Sequence, residues 1–145
     1  MSNSSKARDK AFQYHSTGFH CAEAVSKAVM EIYGITSKDI PKVASAFGAG
    51  IGRTKQDLCG GLAGAFIAIG ALYGRTDVGT DWTDVAESAA KLRKKFIQEY
   101  GSTNCAAILE AFGPQENMMR CKQLSGEIAK MVVDILPEKD NLQKE

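Results

Sequence analysis

The chain has 145 residues, 18 basic and 17 acidic side chains, a net charge of +1 and 44% hydrophobic residues. That size fits one globular domain with its own core. The balanced charge, mixed along the chain, leaves no electrostatic footprint for nucleic acid or an anionic membrane, and three prolines argue against a disordered or linker-rich chain.

Taken in order, the apolar residues recur at helical spacing, and no segment alternates strictly enough to be a strand. The polar first residues, 1–5, are expected to be frayed. A short helix is expected from Lys6 to about Ser16, closed by Gly18. A second runs from Cys21 to Tyr33, with Cys21, Val25, Ala28, Val29 and Ile32 on its apolar face and Gly34 as its stop. Ser37 or Asp39 can cap a third helix reaching Phe47, with Pro41 in its first turn. A glycine loop, Gly48–Lys55, follows.

Asp57 is the expected cap of a central helix, rich in glycine and alanine, that runs to Tyr73. Its bulky face is Cys59, Leu62, Phe66, Ile69 and Tyr73. A stripe of small residues, Gly60, Gly64, Ala68 and Ala71, would let another backbone come close. Beyond a polar turn, Thr80 or Asp81 opens an amphipathic helix with Trp82, Val85, Ala86, Ala89, Leu92, Phe96 and Tyr100 on one face. Ser102, Thr103 or Asn104 caps a short helix carrying Cys105, Ile108, Leu109 and Phe112. Gly113-Pro114 breaks it. The last helix starts between Gln115 and Cys121 and ends near Leu136-Pro137. The tail, 138–145, is polar and expected to be frayed. The reading is all-α: a single-domain bundle of six to seven helices spanning 1–145.

The longest uncharged run, Leu58–Tyr73, is too short and too rich in glycine to span a membrane, and the N-terminus has no signal-peptide core. A cytoplasmic protein is expected. In a reducing compartment its four cysteines are free thiols, metal ligands or redox partners rather than permanent cross-links. Each lies on or opens the apolar face of a different helix. Cys21, Cys59 and Cys105 fall in first turns, where the helix dipole and unpaired N–H groups would lower a thiol pKa. The competing explanation is packing, because a free cysteine is also a small hydrophobe. No C-x-x-C is present, and the closest pair, Cys105 and Cys121, is sixteen residues apart. A structural zinc site or a ferredoxin run usually shows that spacing.

Other motifs carry less. The glycines of Gly48–Gly52 follow a helix rather than a strand and lack dinucleotide-binding spacing. An anion nest with Arg53 and Lys55 competes there with a plain helix connection of unusual dihedrals, which is favoured. His20 adjoins Cys21, but neighbours on a helix do not face each other. A cap role suits it better than that of a base, and His15 is expected at the surface.

In order and spacing, Cys21-Ala22-Glu23-Ala24-Val25, the Phe47–Thr54 loop, Cys59-Gly60-Gly61-Leu62-Ala63-Gly64, Gly70–Gly74, Cys105 and Cys121 resemble the C_GCAxxG_C_C family of small bacterial and archaeal proteins. The resemblance covers about Phe12 to Leu136. It implies an all-helical fold, a redox role, and Cys21, Cys59, Cys105 and Cys121 as the functional set. A related domain in split-Soret-type cytochromes extends the implication to an iron–sulfur centre. Two positions depart from the pattern: Gly61 replaces the usual alanine, and His20 replaces a commoner polar residue. No heme-attachment motif is present.

The leading expectation is a thiol redox protein, with Cys59 the most reactive thiol and one of Cys21, Cys105 or Cys121 resolving it. This leaves open an oxidoreductase activity, a redox partner and a homodimer. The alternative is a metal protein in which Cys21, Cys59, Cys105 and Cys121 hold an iron–sulfur cluster or, less favoured, zinc. A third reading is a helical interaction module whose cysteines only pack.

Overall fold

A computed structural model describes residues 1–137. Among them are seven α-helices and no strands. They are α1 (Asn3–Thr17), α2 (Cys21–Ile32), α3 (Asp39–Lys42), α4 (Gly60–Tyr73), α5 (Thr83–Tyr100), α6 (Cys105–Phe112) and α7 (Met119–Ile135). The all-α, single-domain reading stands. The expected frayed tail lies outside the described residues. Of the first five residues, Ser2 is the cap of α1 and Asn3–Ser5 form its first turn. Ser2 Oγ accepts from the Ser5 backbone N–H at 3.1 Å, and α1 starts at Asn3.

The helices share one core. Phe96, Leu62, Ile69, Leu92, Ile128, Val25, Val29 and Val132 are fully buried in it, drawn from α2, α4, α5 and α7. Burying each such side chain contributes roughly 1.5–3 kcal/mol. Helix α2 packs on α1, α4 and α7, while α4 lies against α2, α5 and α7.

Small residues set the two closest crossings. A Cβ on Gly64 would collide with the carbonyl oxygen of Ala22, so α2 passes directly over the α4 backbone. This is the approach that the small stripe predicts, although Ala71 at its far end is exposed. A Cβ on Gly126 of α7 would come within 2.9 Å of the Arg8 carbonyl oxygen of α1, where Ala7 and Ala11 are fully buried.

Three local expectations fail for identifiable reasons. The third helix does not reach Phe47. Ile40 leaves helical geometry (φ −112°, ψ 109°), so α3 is one turn, and a separate 3-10 turn covers Ser45–Phe47. Trp82 is not core. It caps α5 rather than lying within it and is 56% exposed, while Asp81 Oδ1 accepts from the Thr83 N–H at 3.0 Å. Asp57 is not the cap of α4; Cys59 is. The Asp57 carbonyl instead accepts from the Cys105 N–H at 2.8 Å, and the Thr103 carbonyl accepts from the Cys59 N–H at 2.8 Å. This bridge ties the start of α4 to the start of α6.

Candidate functional site

Four helix starts meet at one place. Cys21 and Cys105 are the first residues of α2 and α6, Cys59 is the cap of α4, and Cys121 is the third residue of α7. All four side chains line a single pocket of about 110 Å³, whose walls are otherwise mostly apolar: Ile108, Leu109, Leu124 and Ile128. Spacing placed three of these cysteines in first turns. It left Cys121 undecided because the start of α7 carries no clear cap residue. Met118, at φ 55°, occupies that position without a side-chain bond.

The local sequence explains how each thiol is held. A Cβ on Gly60 would run into Cys21 Sγ, and one on Gly50 would lie 2.7 Å from Cys105 Cβ and from Lys55 Cα. His20 caps α2. Its Nδ1 accepts from the Glu23 N–H at 3.3 Å, Glu23 Oε1 accepts from the His20 N–H at 3.1 Å, and His20 Nε2 lies 2.8 Å from the Ser45 carbonyl. With Nδ1 accepting, Nε2 carries the proton and donates to Ser45. The cap role expected for His20 is therefore the one it has.

The glycine loop is the cover of this pocket. Ala49, Gly50, Ile51, Gly52 and Arg53 have φ between 51° and 70°, and Lys55 has φ 62°. A succession of positive-φ residues that includes a β-branched side chain is costly, about 1–3 kcal/mol for each non-glycine residue. It is held by the Gly52 N–H to Ala46 carbonyl and Lys55 N–H to Ala49 carbonyl bonds, at 2.9 and 2.8 Å. Unusual dihedrals were expected at the glycines. The non-glycine members gave no signal.

Burial decides the electrostatics. The helix-dipole argument predicts lowered thiol pKa values for Cys21, Cys59 and Cys105, and the structure reverses it for all three. Burial pushes the Cys59 thiol up to about 12, against the N–H groups of Leu62 and Gly61 and with help from charge at Cys21 and Cys105. Cys21 is raised by burial, which outweighs the Ala49 and Ala22 N–H groups, with charge at Cys121 adding to the rise. Cys105 is raised by burial and by charge at Cys21 and Cys121, against Lys55. Cys59, 6% exposed, lacks the surroundings of the most reactive thiol.

His15 is not at the surface. It lines the same pocket, half-buried, with Nδ1 2.9 Å from Ser125 Oγ, a buried hydroxyl of α7. Burial lowers its pKa to about 4, helped by charge at Lys122 and His20. Its Nδ1 is engaged with Ser125, and with one pKa lowered and the other raised by burial, His15 is poorly matched as a base for Cys59. Two further residues were missed by sequence reasoning. Ser125 and Gln115 belong to no motif, and their partners stand in other elements or outside any repeat.

All four cysteines are free. Among the described residues, no three His, Cys, Asp or Glu side chains are grouped so as to hold a metal ion.

The fold and site together define an all-helical protein with four cysteines at one apolar pocket. Residues 19–135 match the model of the family described as "Putative redox-active protein (C_GCAxxG_C_C)", and the chain belongs to that family. No curated protein and no solved structure matches it. No helix among the described residues is long and apolar enough to cross a membrane.

The Gly61 departure has a local reading. A Cβ there would sit 2.7 Å from Ile128 Cδ1, the free end of a flexible side chain, and 3.9 Å from Cys59 Sγ. Gly61→Ala should therefore be accommodated by a small Ile128 shift. The net gain expected is about 0.5 kcal/mol from lower unfolded-chain entropy, measured as a raised urea midpoint. A loss of stability would show that Ile128 cannot move.

Proposed function

We propose that the protein carries out dithiol–disulfide chemistry with pairs of cysteines drawn from different helices, in a reducing compartment such as the cytoplasm. One observation carries this: four free thiols from four helix starts line one small apolar pocket. Packing alone gives no reason for all four cysteines to face the same void. Reduced, the buried thiols stay protonated and inert. Oxidation of one draws on a neighbour already beside it, so the pocket favours an intramolecular disulfide over mixed adducts. A strained, glycine-rich cover lets the chain adjust as sulfur atoms approach bonding distance.

The test is thiol counting. Protein reduced anaerobically and then treated with a mild disulfide oxidant should lose two thiols without dimerising, and peptide mapping should place the bond among Cys21, Cys59, Cys105 and Cys121. A dithiol reductant should restore all four. Four free thiols after oxidation would refute the proposal.

A further inference from the structure

Gln115, in the connection between α6 and α7, has no place in the cysteine pattern, yet it makes two bonds to one residue. Its Oε1 accepts from the Cys121 N–H at 2.9 Å, and its Nε2 donates to Cys121 Sγ at 3.3 Å. The backbone donor fixes which end of the amide is oxygen, so nitrogen faces the sulfur. Cys121 differs from the other three cysteines in accepting from a side-chain donor among the described hydrogen bonds. Like Cys21, it is half-buried where Cys59 and Cys105 are buried, and its neighbours in the pocket include the exposed Met118. Reagent arriving from solvent meets this sulfur before Cys59.

We propose that Cys121 is the attacking thiol of the pocket and that Gln115 is its positioning residue. This rests on the dithiol reading. The Cys121 thiolate attacks a small-molecule disulfide, forming a mixed disulfide and releasing one thiolate. Cys21 or Cys105, which line the same pocket as Cys121, then attacks the Cys121 sulfur as a thiolate. This forms the protein disulfide and expels the second small thiolate. Two electrons pass to the small disulfide, and the protons lost by the two cysteines end on its two thiol products. Cys59, buried at 6% exposure, takes no part in the first exchange.

The bland explanation is that Gln115 only caps α7, whose Met118 cap makes no side-chain bond. Gln115→Glu separates the two roles. The carboxylate still accepts from the Cys121 N–H, but the donor to sulfur is gone and a like charge faces the thiolate. Dithiodipyridine, a neutral chromogenic disulfide, is the probe, added to the reduced full-length chain under anaerobic conditions. The expected first adduct, trapped by rapid acid quench and mapped by mass spectrometry, is on Cys121. Cys121→Ser removes the fast phase. Gln115→Glu slows it about tenfold, as the loss of one hydrogen bond to a charged group would, and moves its pH–rate profile upward while the thermal midpoint holds. Gln115→Asn, placed to restore the donor, recovers part of the rate. A first adduct on another cysteine, or an unchanged rate and profile in Gln115→Glu, overturns the assignment while leaving the dithiol reading intact, provided a protein disulfide still forms. If no protein disulfide forms, both fall.

Discussion

Gly64→Ala should cost about 3 kcal/mol of unfolding free energy, whereas the same exchange at Gly70, on the same helix, should gain about 0.5–1 kcal/mol. At Gly64 the added methyl would run into the Ala22 carbonyl oxygen and lie 2.9 Å from its carbonyl carbon. Both obstacles are backbone, so no rotamer change relieves them and α2 must move. At Gly70 nothing lies within 4 Å, and the residue is exposed. Only the helix-propensity gain remains. Urea unfolding of the two variants gives shifts of opposite sign if the α2–α4 crossing is as close as described. Equal shifts would mean that α2 stands further away.

The Gly64 variant also bears on the pocket. Ala22 follows Cys21 directly, so displacing the start of α2 carries Cys21 Sγ out of the space that Gly60 leaves for it. The same residues thus set stability and sulfur placement. The sequence pattern C-A at α2 and C-G-G-L-A-G at α4 reads as one contact: a thiol over one glycine, a carbonyl over another.

That contact was partly legible in advance. The small stripe through Gly60 and Gly64 predicts a close neighbour, though not which helix it is. The faces of α2 and of the C-terminal half of α5 follow their 3.6-residue period, and Leu92 and Phe96 are buried as that period requires. The starts of α2 and α6 could be placed from caps and glycine stops and that of α4 to within two residues, whereas the start of α7 has no cap residue to mark it. What failed depended on depth or on distance along the chain. Dipole reasoning sees the N–H groups near Cys59 but not the desolvation that outweighs them, since burial belongs to the packed helices. Trp82 has the right spacing for a core face and sits one residue too early, in the cap. His15 and Ser125 are separated by 110 positions, and neither stands in a motif. At Ala49, Ile51 and Arg53, residue type argues against the positive φ that hydrogen bonds impose.

His15 gives the protein an acid-sensitive joint between α1 and α7. Its folded pKa, about 4, lies below the ordinary 6.5, because burial and the charges of Lys122 and His20 disfavour the imidazolium. The unfolded chain therefore binds this proton first as pH falls. Its contribution to stability is complete above pH 6.5 and is lost progressively between 6.5 and 4. The full shift would correspond to about 3 kcal/mol, and partial exposure of the ring reduces this to about 1–2 kcal/mol. His15→Gln keeps a polar partner for Ser125 but cannot titrate. Urea midpoints measured from pH 7 to pH 4.5 should fall for the wild type and run flatter for the variant. This interval ends at the ordinary pKa of Glu23 and Glu31, 4.5, and their folded carboxyls are lowered despite burial by bonds from Ser45 and from Tyr14, respectively, so most of their contribution is lost at lower pH and is common to both proteins. Parallel curves for the two proteins would mean that His15 pays no burial cost and that the Ser125 contact is made from a solvated ring. A flattened curve, by contrast, ties the α1–α7 joint to the wall of the cysteine pocket, because both Lys122 and Ser125 flank Cys121 on one helix.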